Sequence, residues 1–249
     1  MIEAIMSRTN INKIRLFTVP NMLTLANLVA GALAVVVALR HHNYELSFWL
    51  IVAAAVCDFF DGFAARLLKQ QSPLGVQLDL LADDISFGLA PAVVMFDLYT
   101  QSTSYYALSE DVMSYVGYLC FIVAAFSALR LAKFNIDTTQ GEEFEGLPTP
   151  ANALMLMSLA MIHQNGDVTL YQEFILLLCV AMAFLLISPI RMFALKFKSF
   201  KLADNKLRYG FLLASLLIII FFAKYSVVAI IVLYIVLSTL RWIVLPRKK

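Results

Sequence analysis

The chain has 249 residues, 61% of them hydrophobic and only 14% charged, with a mean hydropathy of +0.82 and a net charge of +2. So few charges cannot solvate a globular surface of this size, which excludes a water-soluble domain and leaves a polytopic membrane protein. No nucleic acid is expected as a partner. Cys57, Cys120 and Cys179 all fall inside apolar runs, which argues against a disulfide framework and for small packing residues.

Taken in chain order, residues 1–19 form an N-terminal cytoplasmic or interfacial segment. Within it Ile11, Ile14, Leu16 and Phe17 mix with Lys13 and Arg15. Such a mixture suits either an amphipathic lead-in along the membrane surface or a solvated tail. Apolar runs at 20–39, 46–66, 76–99, 114–132, 150–164, 172–189, 208–223 and 226–245 then read as eight transmembrane helices in an all-α fold. The first run is expected to be an uncleaved helix, since many spans follow it. A single helix over 208–245 would be about twice the length needed to cross ~30 Å of hydrocarbon, so a hairpin at Lys224-Tyr225-Ser226 is expected. The organisation predicted is a membrane core over 20–195, then a basic loop and C-terminal helix hairpin over 196–249. With eight spans, every basic residue except Arg40 and Lys224, of 19 in all, falls on one side. The positive-inside rule makes that side the cytoplasm, with both termini and the site below facing it across a bacterial-type inner membrane.

Asp58, Asp61, Asp79 and Asp83 sit within this hydrophobic sequence. A carboxylate at membrane depth costs roughly 2.5–3.5 kcal/mol on insertion scales and usually marks function. Asp58, Asp61, Gly62 and Ala65 share one helix face, and Gly75, Asp79 and Asp83 share another. Two antiparallel helices joined by the turn Leu67–Leu74 would turn the four carboxylates toward each other. Oxygen donors without His or Cys suit Mg²⁺ or Mn²⁺, with Ca²⁺ as a further option, rather than zinc. Four such groups are able to hold two divalent cations about 3.5–4 Å apart, as in phosphoryl transfer. Gly62 and Gly75 allow a ligand to approach closely, and Arg66 suits bidentate binding of a phosphate. Acids, glycines and an arginine together suggest a diphosphate substrate at the membrane surface. Taken singly, each aspartate fits a proton relay in a transporter about as well, but the spans beyond Asp83 offer few polar groups for a path. His41, His42 and His163 fall on the outer side and are assigned no chemistry.

The run Asp58-Phe59-Phe60-Asp61-Gly62-Phe63-Ala64-Ala65-Arg66, eight further residues, then Gly75-Val76-Gln77-Leu78-Asp79-Leu80-Leu81-Ala82-Asp83 resembles the full motif of the CDP-alcohol phosphotransferases, D-x2-D-G-x2-A-R-x8-G-x3-D-x3-D. The resemblance implies a six-helix core, here with two added C-terminal helices, usually in a homodimer. It also implies transfer of a phosphatidyl group from a CDP-linked lipid to an alcohol, with release of CMP. It assigns Asp58, Asp61, Asp79 and Asp83 to two divalent cations, and Asp58, Gly62, Ala65, Arg66 and Gly75 to the CDP-lipid. Asp83 is further assigned the proton of the acceptor hydroxyl.

Four more stretches resemble the serine-accepting branch of that family: Pro20-Asn21-Met22-Leu23-Thr24-Leu25-Ala26-Asn27, Ser86-Phe87-Gly88-Leu89-Ala90-Pro91, Ala128 to Asn135, and Phe144 to Ala151. The likeness spans most of residues 15–195. Leu80 departs from it, since Ser commonly follows the third aspartate there. The implied substrates are CDP-diacylglycerol and L-serine, with membrane lipids around them. Other acceptors, glycerol 3-phosphate or an inositol phosphate, would use the same chemistry. Arg130, Lys133, Asn135, Thr149 and Arg191 are the expected serine contacts. Thr149-Pro150 reads as a helix start, with a capping hydroxyl and its positive dipole end toward an anionic group. Lys133 and Arg191 serve equally well as anchors for lipid phosphates, and Lys196, Lys198, Lys201 and Lys206 read better as such anchors.

Overall fold

The computed structural model describes residues 15–106, 110–137, 143–194 and 205–244. The interfacial reading of Ile11 to Ile14 and the anchors Lys196, Lys198 and Lys201 lie outside the described residues.

Helix α1 (Val19–His41) begins where Thr18 accepts a hydrogen bond from the Asn21 amide, with Pro20 in its first turn. It ends at His42, whose φ of 47° turns the chain back into α2 (Tyr44–Leu67). Ser72 caps α3 (Pro73–Asp83), accepting from the Gly75 amide with Pro73 at the first helical position. The third apolar run is not one straight α-helix. A π-helical turn (Asp84–Leu89) separates α3 from α4 (Ala90–Gln101), and such turns often accompany functional sites. Helix α5 (Glu110–Val116) and a 3₁₀ turn lead into α6 (Ile122–Ile136).

A two-stranded antiparallel sheet, β1 (Glu143–Glu145) with β2 (Arg191–Phe193), ties the loop before α7 (Thr149–Gln164) to the segment after α8 (Gln172–Leu186). Helix α7 is the centre of the protein, with Ala153, Leu156, Met157 and Ala160 fully buried. Its start corrects one expectation. The Asn152 amide donates to the Pro148 carbonyl, so Pro148 is the cap residue and Thr149 is already helical. No side-chain hydroxyl caps this helix.

The C-terminal segment does fold back. Helix α9 (Lys206–Phe222) ends at Ala223, where φ is 39°, and α10 (Ser226–Val244) returns beside it. The rings of Phe211 and Tyr234, 23 residues apart, come within 5.8 Å of each other. A continuous helix would hold them roughly 34 Å apart at 1.5 Å per residue.

Four helical stretches, Val19–His41, Tyr44–Leu67, Val112–Ile136 and Lys206–Val244, have the length and composition to cross a membrane. Large apolar side chains such as Leu33, Trp49, Phe59, Leu177, Phe184, Leu213 and Phe221 are exposed around the outside. An apolar girdle of that kind fits lipid rather than water. One end of the helices carries the aspartates. The other carries a polar lock in which Asp97 Oδ2 lies 2.8 Å from His42 Nδ1 and accepts from the Tyr44 hydroxyl at 3.0 Å. There Gln164 also bridges the α1–α2 turn, accepting from the Tyr44 amide and donating to the His42 carbonyl. The histidines thus do sit at the end away from the aspartates, and His42 and His163 both serve structure. His163 Nδ1 accepts from the Leu170 amide.

Candidate active site

Helices α2 and α3 form the two walls that the spacing of the acids predicted. One ligand atom each from Asp58, Asp61 and Asp79 lies within 4.8 Å of the other two. Asp83 adjoins this trio one turn further along α3, where Asn27 Nδ2 of α1 donates to its Oδ1 at 3.0 Å. Asp61 is 5% exposed, and the Thr24 hydroxyl donates to its Oδ2 at 2.6 Å. Among the described residues no lysine or arginine forms an ion pair with any of the four, and Asp79 Oδ1 is buried without a hydrogen-bond partner. Two like charges at 4.8 Å repel by about 3.5 kcal/mol at an effective dielectric of 20. Closely set, uncompensated, oxygen-only donors fit a hard divalent cation.

A cavity of about 180 Å³ opens beside the trio, lined by Asp61, Gly62, Ala65, Arg66, Gly75 and Asp79, with Asn21, Thr24, Gln70 and Ser72 among its other walls. The expected positions around the CDP-lipid therefore meet in one place, apart from Asp58, which stands in the adjoining acidic group. A Cβ built on Gly62 would meet nothing nearer than Arg66 Nη1 at 3.9 Å, so that glycine leaves open space in the cavity. A Cβ on Gly75 would come within 3.3 Å of Asn21 Oδ1 and Ser72 Oγ.

The family model described as CDP-alcohol phosphatidyltransferase matches residues 17–188. The chain belongs to this family. It is accordingly a transferase of substituted phosphate groups, embedded in a membrane. The CDP-diacylglycerol–serine O-phosphatidyltransferase of Helicobacter pylori is 28% identical over 255 residues, covering 96% of this chain and 95% of the relative. The protein of the same name from Bacillus subtilis is 33% identical over 148 residues, 58% of this chain and 76% of the relative. That from Methanocaldococcus jannaschii is 30% identical over 148 residues, 59% of this chain and 63% of the relative.

The expected serine contacts are more dispersed. Arg130 is half-buried on α6, with its guanidinium 5.9 Å from the Phe134 ring centre. Lys133 forms a 2.8 Å ion pair with Glu145, and these two share a small recess with Arg130. Arg191 stands opposite Glu145 in the strand register. Asn135 is exposed at the end of α6, and Thr149 is buried at the start of α7.

Several polar groups at this family member's site were not singled out from the sequence. Asn21, Thr24 and Asn27 recur every three residues on α1, and all three are buried against the aspartate hairpin. Their spacing inside an apolar helix was the available signal. Tyr234 was invisible in that way. It reaches the site region only because α10 folds back, donating its hydroxyl to the Phe193 carbonyl at 3.0 Å and standing near Arg130.

Proposed function

We propose that this chain transfers the phosphatidyl group of CDP-diacylglycerol to the hydroxyl of L-serine, giving phosphatidylserine and CMP. The observation that carries the reading is the trio Asp58, Asp61 and Asp79 at the edge of a cavity walled by Gly62, Ala65, Arg66 and Gly75. The choice of serine is supported by the names of the relatives, one of which matches the chain almost end to end.

In this reading Asp58, Asp61, Asp79 and Asp83 hold two divalent cations, Mg²⁺ or Mn²⁺. When bound, such ions neutralise the charge that builds up on a diphosphate as it is cleaved. Gly62 and Gly75 let the nucleotide lie close to the backbone, and Arg66 grips phosphate oxygens from the cavity rim. Asp83, steadied by Asn27, accepts the proton of the serine hydroxyl. The serine oxygen then forms its bond to the lipid-side phosphorus as the bond to the CMP oxygen breaks. No covalent intermediate is invoked, because among the described residues lining the cavity no Cys or His occurs, Ser72 caps α3 and the Thr24 hydroxyl is held by Asp61.

Eight spans, with the site and both termini cytoplasmic in an inner membrane, complete the proposal. Eight helical stretches at the predicted positions and the one-sided basic residues support it. A homodimer is proposed on the family resemblance alone. The test is CMP release by purified protein with CDP-diacylglycerol and Mg²⁺ or Mn²⁺, offered L-serine, glycerol 3-phosphate or inositol phosphate separately. Release with serine alone, with phosphatidylserine formed, is the expected result. Release only with a phosphorylated acceptor would keep the carboxylate chemistry and overturn the acceptor.

A further inference from the structure

Three polar atoms beside the aspartates are buried with no hydrogen-bond partner among the described residues. Asp84 opens the π-helical turn, and its Oδ1 is buried without a hydrogen bond. Ser127 on α6 is fully buried, and its Oγ is likewise unmet. The two face each other across Gly88. A Cβ built there would lie 2.8 Å from Asp84 Oδ1 and 2.9 Å from Ser127 Oγ, so only a glycine lets the two oxygens close on this stretch of backbone. Both oxygens lie within 2.9 Å of one point, so they are near enough for a single nitrogen, clear of the Gly88 backbone, to bridge them. The third group, Arg130 Nε, lies one turn beyond Ser127 on the same helix and is buried without an acceptor. Its guanidinium feels Asp83 and Tyr234 but forms no ion pair with Asp84 among the described residues.

Asp84 adjoins Asp83 in the chain and Arg130 lies within its electrostatic reach, so a carboxylate and a guanidinium, each with a buried atom unmet, stand near Asp83. Buried charges are normally paired, so such an arrangement calls for a ligand of the opposite polarity at each end. A zwitterion meets that requirement. A phosphorylated acceptor does not, since Asp84 would repel it.

We propose that Asp84 and Ser127 bind the ammonium group of an amino-acid acceptor while Arg130 binds its carboxylate, presenting its hydroxyl to Asp83. This rests on the reading of serine as acceptor and deepens it, by assigning the choice between serine and uncharged or phosphorylated alcohols to Asp84. Glycerate, with a hydroxyl in place of the ammonium, is the discriminating probe.

Initial rates of CMP release are measured with L-serine and with glycerate for the full-length protein and for Asp84→Asn and Ser127→Ala. The first change is isosteric and removes only charge, and the second carries the same test should the first not fold. The unaltered protein is expected to prefer serine by roughly 100-fold or more, because an unpaired buried polar group penalises the analogue. In Asp84→Asn the KM for serine rises roughly 10-fold or more, the loss expected of a hydrogen bond to a charged group. Its KM for CDP-diacylglycerol and its Mn²⁺-induced rise in melting temperature stay as before. The serine-to-glycerate preference shrinks by a similar factor, which a purely structural role for Asp84 would not produce. Ser127→Ala moves the same way by less. An unchanged preference in a variant that still uses serine overturns the assignment and spares the acceptor. An unaltered protein that does not use serine at all brings down both.

Discussion

Replacing Asp61 by Asn should have opposite effects on the empty and the metal-loaded protein. Asp61 is 5% exposed, shares a 4.8 Å cluster with Asp58 and Asp79, and receives the Thr24 hydroxyl at 2.6 Å. Asparagine has the same shape, and its carbonyl oxygen can still accept from Thr24. The substitution therefore removes charge and little else. Each ionised pair in the cluster repels by about 3.5 kcal/mol or more at an effective dielectric of 20, and Asp61 belongs to two of them. That sets a ceiling on the relief, since repulsion of this size also favours protonation of one partner. In chelator the variant should unfold at the same temperature as the original or higher. With Mg²⁺ or Mn²⁺ at 100 times its Kd, the original protein should gain about 2.7 kcal/mol by linkage. Most of that gain should vanish in the variant, along with CMP release. The assay is thermal unfolding in detergent micelles, with and without metal, beside a radiolabelled-CDP-lipid activity assay. A variant that melts several degrees below the original in chelator, or that keeps the full metal-induced rise, refutes the assignment of these carboxylates to a cation.

Three further outcomes are expected. Gly62→Leu should fold normally, since a Cβ there meets nothing within 3.4 Å, yet fill part of the 180 Å³ cavity. Its KM for CDP-diacylglycerol should rise about tenfold or more, read by CMP-release kinetics, with metal-induced stabilisation intact. Gly31→Ala should behave in the reverse way. Its Cβ would fall 2.7 Å from Ser86 Cα, backbone that cannot swing aside, so the α1–π-turn contact must open. Overpacking of this kind costs about 1–3 kcal/mol, and a lower melting temperature with reduced yield should report it. Tyr234→Phe keeps the ring against Phe193 and Phe211 but loses the bond to the Phe193 carbonyl. It should lose about 1 kcal/mol of stability, measured by the same unfolding assay.

The sequence by itself determined the membrane class, the places of the eight helical stretches and the hairpin of acids. Each of these rests on local pattern. Runs of apolar residues read directly as helices, and three-and-four spacing puts Asp58 with Asp61 and Asp79 with Asp83 whatever the rest of the chain does. Even the C-terminal hairpin was legible, because a 38-residue apolar helix has no bilayer to match. What only the tertiary structure decided is which other helices close around the acids. Asn27 reaches Asp83 from 56 residues away, and Ser127 packs against Gly88 beside Asp84 from a different helix again. Tyr234 arrives from beyond the matched family region. No local pattern carries that information, since serines, asparagines and tyrosines are common in membrane helices and become informative only by their neighbours. The same holds for Lys133, a candidate contact by position whose ion-pair partner, Glu145, only the fold brings to it. Helix periodicity sets which residues share a face, and helix packing sets what that face meets.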